Sequence, residues 1–268
     1  MYKLLKPFIV VALLMELTTG LSCTNGIKMK DTHHIVDLYS RLSSLSADLD
    51  SVVYNVNESD IRNNVINTLQ DSIRKINNAM VSLLIDPSNG PESDLSAIRN
   101  QTGINVVVSK DNKLACYSWD IGLADEAPYF NNIIHYKTNG GTKAVHYSGI
   151  NEKGVQFGDN LSIDSVYETT FEGKPLYLLI RSNKCGHTCV LNELVPLQMA
   201  SSKLVDSGRV FQRNGEYFNK LTFSYHLSKH LEGLATFGFD PVRNQIFVPK
   251  LDEGETRIVE MLTYQIAK

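Results

Sequence analysis

The sequence DPSNGP at residues 86–91 divides the chain into two regions of different character. Two prolines and a glycine within six residues interrupt any regular helix, so this stretch predicts a boundary. Before it, apolar residues recur every three or four positions, as on a helix face; after it, short runs alternate apolar with polar residues between turn signals, as in strands. We therefore predict an α+β protein in which an N-terminal antiparallel helical hairpin precedes a large antiparallel β domain.

Residues 32–86 are predicted to form the helical hairpin. The apolar stripe of the first helix comprises Ile35, Leu38, Leu42, Leu45, Leu49 and Val52, and that of the second comprises Ile61, Val65, Leu69, Ile73, Ile76, Met80 and Leu83. A short polar connection at residues 55–59 would let the two stripes face each other. Neither stripe sustains three to four heptads, so a hairpin packed on the β domain is favoured over a coiled-coil arm for oligomerisation, which stays open as the alternative.

Residues 87–103 are predicted to form a linker with a short helix near 92–99, and residues 104–268 the antiparallel β domain. Signals such as Asn139-Gly140-Gly141 and Asn214-Gly215 mark tight hairpins, because asparagine and glycine adopt the positive φ that these turns need. The run from Leu221 to Ser228 alternates apolar and polar residues most regularly. Roughly a dozen strands without a fixed repeat predict a sandwich, a barrel or a meander.

The overall composition is typical of a folded domain, with 43% hydrophobic and 21% charged residues. A net charge of −3 at pH 7 lacks the positive field that drives binding to nucleic acid, so we exclude nucleic acid as a partner.

The segment Met1–Cys23, MYKLLKPFIVVALLMELTTGLSC, has the organisation of an export signal. Lys3 and Lys6 precede an apolar run, residues 8–15, that is too short to span a bilayer. Small and polar residues then lead to Cys23, and the layout resembles the lipobox of bacterial lipoproteins. The resemblance implies a signal peptide at residues 1–22, lipid attachment at Cys23 and a tether at residues 23–31. It also implies export and lipid anchoring to the bacterial cell envelope, at the outer membrane in a Gram-negative cell.

Two other features of this segment bear on its processing. Lipoboxes usually carry leucine three residues before the cysteine, where this chain has Gly20. Plain secretory cleavage after Gly20 or Ser22 also fits the small residues and stays open as the main alternative, and an uncleaved anchor is the other.

The cysteines offer a predicted disulfide. Cys185 and Cys189 lie in the motif Cys-Gly-His-Thr-Cys between two strand patterns, and an oxidising compartment favours a bond between them. The alternative is a zinc site that adds His187, His226 and His230, at spacings unlike those of zinc fingers. Cys116 lies in a strand pattern, which favours a buried position over a nucleophile paired with His135 or His146. We predict no catalytic residue, no metal and no cofactor.

Aromatic residues give the one candidate ligand site. Tyr117 and the only tryptophan, Trp119, stand beside Asp120, and exposed rings with a neighbouring carboxylate suit sugar binding; ordinary core packing is the alternative. The sequence as a whole favours a non-catalytic binding or interaction module of the cell envelope. Its expected partners are the membrane, through the lipid anchor, and a glycan or an envelope protein. An extracytoplasmic hydrolase acting on envelope or glycan substrates is the alternative function.

Overall fold

The structure is a computed structural model that describes nine segments of the chain. They are residues 32–56, 59–89, 95–123, 128–147, 161–184, 189–200, 202–226, 237–252 and 258–267. The predicted signal peptide, Cys23 and the tether therefore lie outside the described residues. The described residues belong to one compact unit, Asp31–Lys268.

The described elements are three α-helices, a 3-10 turn and fourteen strands. The helices are α1 (Thr32–Asn55), α2 (Ser59–Leu84) and α3 (Ser96–Gln101), with the 3-10 turn at Pro87–Asn89. The strands are β1 (Asn105–Val108), β2 (Leu114–Asp120), β3 (Phe130–Thr138), β4 (Gly141–His146), β5 (Ser162–Phe171), β6 (Lys174–Lys184), β7 (Cys189–Ala200), β8 (Lys203–Asp206), β9 (Phe211–Arg213), β10 (Glu216–Phe218), β11 (Leu221–His226), β12 (Gly238–Asp240), β13 (Gln245–Leu251) and β14 (Ile258–Ile266). The protein is thus a mixed α and β structure with antiparallel sheets, as predicted.

The apolar stripe of α1 is buried, as is most of the stripe of α2, in which Val65 is only partly buried, and the two helices pack on each other. All six predicted stripe residues of α1 are at most 7% exposed. In α2 the stripe ends on Leu84, which is fully buried, and not on Leu83, which is half-buried. Both positions fit a step of three or four from Met80, so the spacing alone does not distinguish them. The side chain of Ile61 lies outside the described residues.

The described part of the predicted linker is packed against α1. Leu95 and Ile98 are buried, and α3 contacts α1. Gly103 follows α3 at a point where a Cβ atom would lie only 2.1 Å from the hydroxyl of Tyr39. Residues 95–103 are therefore part of the folded unit and do not form an extended spacer.

The strands form three antiparallel sheets instead of a single sandwich or barrel. We call β1–β4 the helix-side sheet, with the meander order β1-β2-β3-β4. The central sheet has the order β11-β7-β6-β5, with β8 paired to β7. The outer sheet has the order β10-β9-β14-β13-β12, so β9 and β14 pair although they are distant in sequence.

The central sheet is buried on both faces, which gives a layered architecture. One apolar cluster joins it to the helix-side sheet through Leu114, Cys116 and Ile134 on one side and Tyr177, Leu179 and Val195 on the other. A second cluster joins its opposite face to the outer sheet, through Leu176, Leu178 and Leu194 facing Phe211, Ile246 and Ile266. Alternate residues of β6 thus enter two different cores, as the twofold periodicity of a strand requires.

The helices cover the remaining face of the helix-side sheet. The Asn77 amide of α2 donates to the carbonyl of Ile121, at 2.9 Å, and the indole Nε1 of Trp119 donates to Asn77 Oδ1, at 2.8 Å. His135 of β3 hydrogen-bonds through Nε2 to the carbonyl of Leu84, at the end of α2. The layers therefore run from the helices through the helix-side and central sheets to the outer sheet.

Candidate functional site

A cleft of about 570 Å³ opens where the β5–β6 turn meets β9, β10 and the end of β14. Its lining residues come from four parts of the chain: Phe171, Glu172, Arg209, Gln212, Tyr217, Gln265, Ile266 and Ala267. The volume lies within the usual range for small-molecule sites in proteins. It is the candidate binding site in the described part of the molecule.

Strand register brings three of these side chains together. Tyr217 on β10 pairs with Gln212 on β9, and Gln212 pairs with Gln265 on β14. Directly paired residues lie on the same face of a sheet, on strands about 4.8 Å apart. The neighbouring pair, Phe211 and Ile266, enters the core, so alternation directs the glutamines to the opposite face. The half-exposed ring of Tyr217 thus stands beside the amide of Gln212, and the amide of Gln265 follows one strand further on.

The rim of the cleft is held by a tight turn and by hydrogen bonds to backbone carbonyls. Glu172 and Gly173 form the β5–β6 turn with φ of +51° and +71°, a conformation in which glycine is favoured. The carbonyl of Phe171 accepts a hydrogen bond from Gln198 Nε2 at 3.0 Å. On the other side, Ala267 N donates to the carbonyl of Val210 at 2.8 Å, next to Arg209. These contacts fix the turn and the end of β14 that border the cleft.

The side chains of the cleft suit recognition more than covalent chemistry. Tyr217 offers a flat apolar ring with a hydroxyl, and each glutamine offers both donors and an acceptor. Arg209 adds one cation and Glu172 one anion, both exposed. Among the lining residues, Glu172 is the only carboxylate, and no cysteine, serine or histidine is present to act as a nucleophile or base.

The aromatic residues of the predicted ligand site do not form an exposed surface. Tyr117 and Trp119 are 0% and 1% exposed, because β2 is covered on one face by the helices and on the other by the central sheet. Core packing, the alternative, is what the structure shows. Asp120 lies at the end of β2 and accepts a hydrogen bond from Gly122 N at 2.8 Å, while partial burial raises the pKa of its carboxyl. The rings of Tyr117 and Trp119 themselves therefore offer no open face to a ligand.

Cys116 and the two histidines do not form a catalytic pair. Cys116 is fully buried toward the central sheet, as the strand pattern predicts, and burial raises the pKa of its thiol strongly. It pairs with Ile134, whereas His135 is the next residue along β3 and points to the opposite face, toward α2. His146 Nε2 lies 3.2 Å from Asn131 Oδ1, and burial lowers the pKa of its imidazole.

The predicted disulfide lies mainly outside the described residues. Cys185, His187 and His230 are outside them, as are the side chains of Cys189 and His226, although the backbones of those last two pair between β7 and β11. The pairing of Cys185 with Cys189 therefore stays a prediction. Within the described residues, no three histidine, cysteine or acidic side chains gather as metal ligands.

A buried charge cluster lies apart from the cleft. Arg181 Nη1 on β6 lies 2.7 Å from Glu193 Oε2 on β7, and Lys220 Nζ lies 2.7 Å from Glu193 Oε1. The guanidinium of Arg181 also lies 5.2 Å from the ring centre of Tyr147. Because the side chains of Arg181 and Glu193 are nearly inaccessible and form an ion pair with each other, we interpret the cluster as a structural contact between the sheets.

The chain matches no protein-family model, no curated protein and no solved structure. Among the helices described, none is long and apolar enough to cross a membrane.

The cleft residues were not singled out by sequence reasoning. The signal Asn214-Gly215 predicted the β9–β10 hairpin, which places Tyr217 near Gln212. Gln265 comes from β14, more than fifty residues later in sequence, and no local pattern indicates that β9 pairs with β14.

Proposed function

We propose that this protein is a lipid-anchored binding protein of the bacterial cell envelope whose cleft binds a carbohydrate. The observation that carries the proposal is the exposed Tyr217 ring beside the paired amides of Gln212 and Gln265, in one cleft of about 570 Å³. A ring face packs against the C–H groups of a pyranose, while amides exchange hydrogen bonds with its hydroxyls. Sugar hydroxyls, like glutamine amides, both donate and accept, so the two surfaces match.

The export and anchoring part of the proposal rests on the sequence. Lys3, Lys6, the apolar run and Cys23 supply the signal segment and the acylation site. Residues 24–31 would hold the folded unit a short distance from the membrane. In this arrangement, α1 and α2 form an antiparallel helical hairpin, which is supported by the short connection at residues 56–58 and by the packing between the helices.

A non-catalytic role is favoured over hydrolysis by the number of carboxylates. Glycoside hydrolysis generally uses a pair of carboxyl groups that flank the scissile bond. Glu172 alone among the lining residues carries one, and it lies on an exposed turn. If purified protein released reducing ends from a bound glycan, and Glu172→Gln stopped that release, hydrolysis would replace binding as the function.

The test is carbohydrate binding by the full chain purified in detergent, on a panel of neutral and anionic oligosaccharides, followed by titration calorimetry. Burying a tyrosine-sized ring contributes about 1.5–3 kcal/mol, so Tyr217→Ala should weaken binding about 10- to 100-fold. Tyr54→Ala is the matched control, because Tyr54 is 81% exposed on α1 and does not line the cleft. Melting curves should show that both variants are folded.

The proposal fails if no carbohydrate binds, or if Tyr217→Ala and Tyr54→Ala bind as the parent chain does. It also fails if Gln212→Ala leaves the affinity unchanged, since Gln212 stands between the other two side chains.

A further inference from the structure

We propose that the cleft is one end of a longer binding surface, and that its ligand is a linear, neutral oligosaccharide lying across the strands of the outer sheet. This inference rests on the proposed function, carbohydrate binding in the cleft, and adds the length and charge of the ligand. The surface is the amide row, defined as Tyr217, Gln212, Gln265 and Gln245.

The amide row follows from the register of four neighbouring strands. Tyr217 pairs with Gln212, Gln212 with Gln265, and Gln265 with Gln245 on β13. The four positions therefore cross the sheet in a straight line perpendicular to the strands. Three steps between strands, each about 4.8 Å, give the row a length of about 14 Å.

The row lies on the face of the outer sheet that is turned away from the central sheet. Phe211, Ile266 and Ile246 adjoin the three glutamines along their strands and are buried in the core. Gln265 is exposed, Gln212 and Gln245 are partly exposed, and Tyr217 is 50% exposed. No described residue hydrogen-bonds to the side-chain amides of these glutamines, so their donors and acceptors are available to a ligand.

The spacing of the row favours a sugar chain over a peptide. A hexopyranose in an extended β-linked chain advances by about the width of one ring, which is close to the separation of adjacent strands. An extended peptide advances about 3.3 Å per residue and repeats each face after about 6.6 Å, so neither distance matches the row. One glutamine per sugar unit could then be used along the chain.

The charge of the row favours a neutral ligand. None of its four side chains is charged, so a charged polymer gains no ion pair along it. The next position on β12 is Asp240, which pairs with Gln245. Its carboxylate accepts hydrogen bonds from the backbone N–H groups of Val242 and Arg243, at 2.9 and 3.0 Å, and so belongs to the β12–β13 turn. Its carboxylate also lies 3.9 Å from the guanidinium of Arg243, so this position adds no unpaired charge beyond Gln245.

The experiment measures how affinity depends on ligand length. Two neutral linear series, β-1,4-linked glucose and β-1,4-linked N-acetylglucosamine oligomers of one to six units, are titrated against the full chain. In at least one series the affinity should rise with each added unit up to about four units and then level off. Gln245→Ala should weaken binding of the tetramer about tenfold and leave binding of the dimer unchanged, because Gln245 is three strands from Tyr217.

A matched control is Gln101→Ala, since Gln101 is exposed at the end of α3 and far from the row in sequence. The inference is overturned if dimer and tetramer bind equally well, or if Gln245→Ala leaves tetramer binding unchanged. If Tyr217→Ala nevertheless loses binding of the dimer, the cleft is still a carbohydrate site, and only the longer binding surface is refuted. If neither series binds, or if Tyr217→Ala binds both series as the parent chain does, the linear neutral ligand is refuted. The proposed function is then decided separately, by whether any other carbohydrate of the wider panel binds in the cleft. Preferential binding of anionic oligosaccharides would likewise refute the neutral-ligand assignment.

Discussion

Replacing Asn77 with alanine should destabilise the protein strongly, because this one side chain joins α2 to the helix-side sheet. Asn77 is 6% exposed. Its Nδ2 donates to the carbonyls of Ile73 and Ile121, and its Oδ1 accepts from Trp119 Nε1 at 2.8 Å and from Asn131 Nδ2 at 3.2 Å. All its polar atoms are used.

The size of the destabilisation follows from the buried polar groups that the substitution would leave without a hydrogen-bond partner. The carbonyl of Ile73 keeps its helical hydrogen bond, but the Ile121 carbonyl, the Trp119 indole N–H and the Asn131 amide lose a partner in a buried site. At about 1–2 kcal/mol for each unsatisfied neutral group, the loss is about 3–6 kcal/mol. That is a large share of the roughly 5–15 kcal/mol by which domains are usually stable.

Urea unfolding followed by tryptophan fluorescence is the direct assay, since Trp119 is the only tryptophan and lies under α2. Asn78→Ala is the matched control, because Asn78 is exposed on the same helix and alanine favours helix. Circular dichroism extends the series to Trp119→Phe, which removes the indole N–H and keeps an aromatic ring. The double variant Asn77→Ala/Trp119→Phe should show a coupling energy of about 1 kcal/mol or more between the two substitutions.

The argument would be refuted if Asn77→Ala unfolded within about 0.5 kcal/mol of Asn78→Ala, the usual range for surface substitutions. Additive effects of Asn77→Ala and Trp119→Phe would show that their hydrogen bond does not hold the helix to the sheet.

Three further predictions concern the core, pH dependence and anchoring. Leu42→Ala should cost about 2–5 kcal/mol in urea unfolding and leave the sedimentation coefficient unchanged, because Leu42 is 2% exposed; conversion of a multimer into a stable monomer would instead support the oligomerisation arm. Burial lowers the pKa of His135 in the folded state, so the unfolded chain binds the proton more tightly, and stability should fall as pH drops below about 6.5. This fall should be shallower in His135→Gln but not absent, since burial shifts the pKa of His146 in the same direction; equal slopes in the two proteins would contradict the assignment. Cys23→Ala should release the protein from the membrane fraction or accumulate its precursor, and an unchanged, detergent-dependent distribution would argue against lipidation.

Sequence reasoning succeeded where the physics is local. The three-and-four spacing of α1 identified all six buried residues of its stripe, because a helix buries a fixed angular sector. The signal Asn214-Gly215 correctly located the β9–β10 turn, where both residues have positive φ. These features depend on neighbours within a few residues.

The burial of Tyr117 and Trp119 could not be predicted in this way. In β2, five of the seven residues have apolar side chains, Leu114, Ala115, Cys116, Tyr117 and Trp119, and Ser118 among them is buried as well. Whether a strand is covered on one face or two depends on what packs against it. Here the second cover is α2, whose attachment through Asn77 is a contact between residues 42 apart in sequence.

The cleft could not be predicted either, because its residues are brought together by contacts between even more distant parts of the chain. Gln212 and Gln265 are polar residues of ordinary strands, and nothing near either one suggests binding. They become neighbours only because β14 pairs with β9 in a particular register. A shift of that register by one residue would turn Gln265 into the core and remove it from the site.

The position of β14 also has a consequence for the order in which the chain can fold. β14 lies between β9 and β13, so the hairpins β9–β10 and β12–β13 are not joined until residues 258–266 have emerged from the ribosome or the export channel. Until then both hairpins present open hydrogen-bonding edges, which are sites of aggregation. Holdase chaperones should therefore bind a nascent chain that stops before β14 and release the chain once β14 is available. Comparing chaperone retention of chains ending before residue 258 with chains ending after residue 266 would measure this dependence.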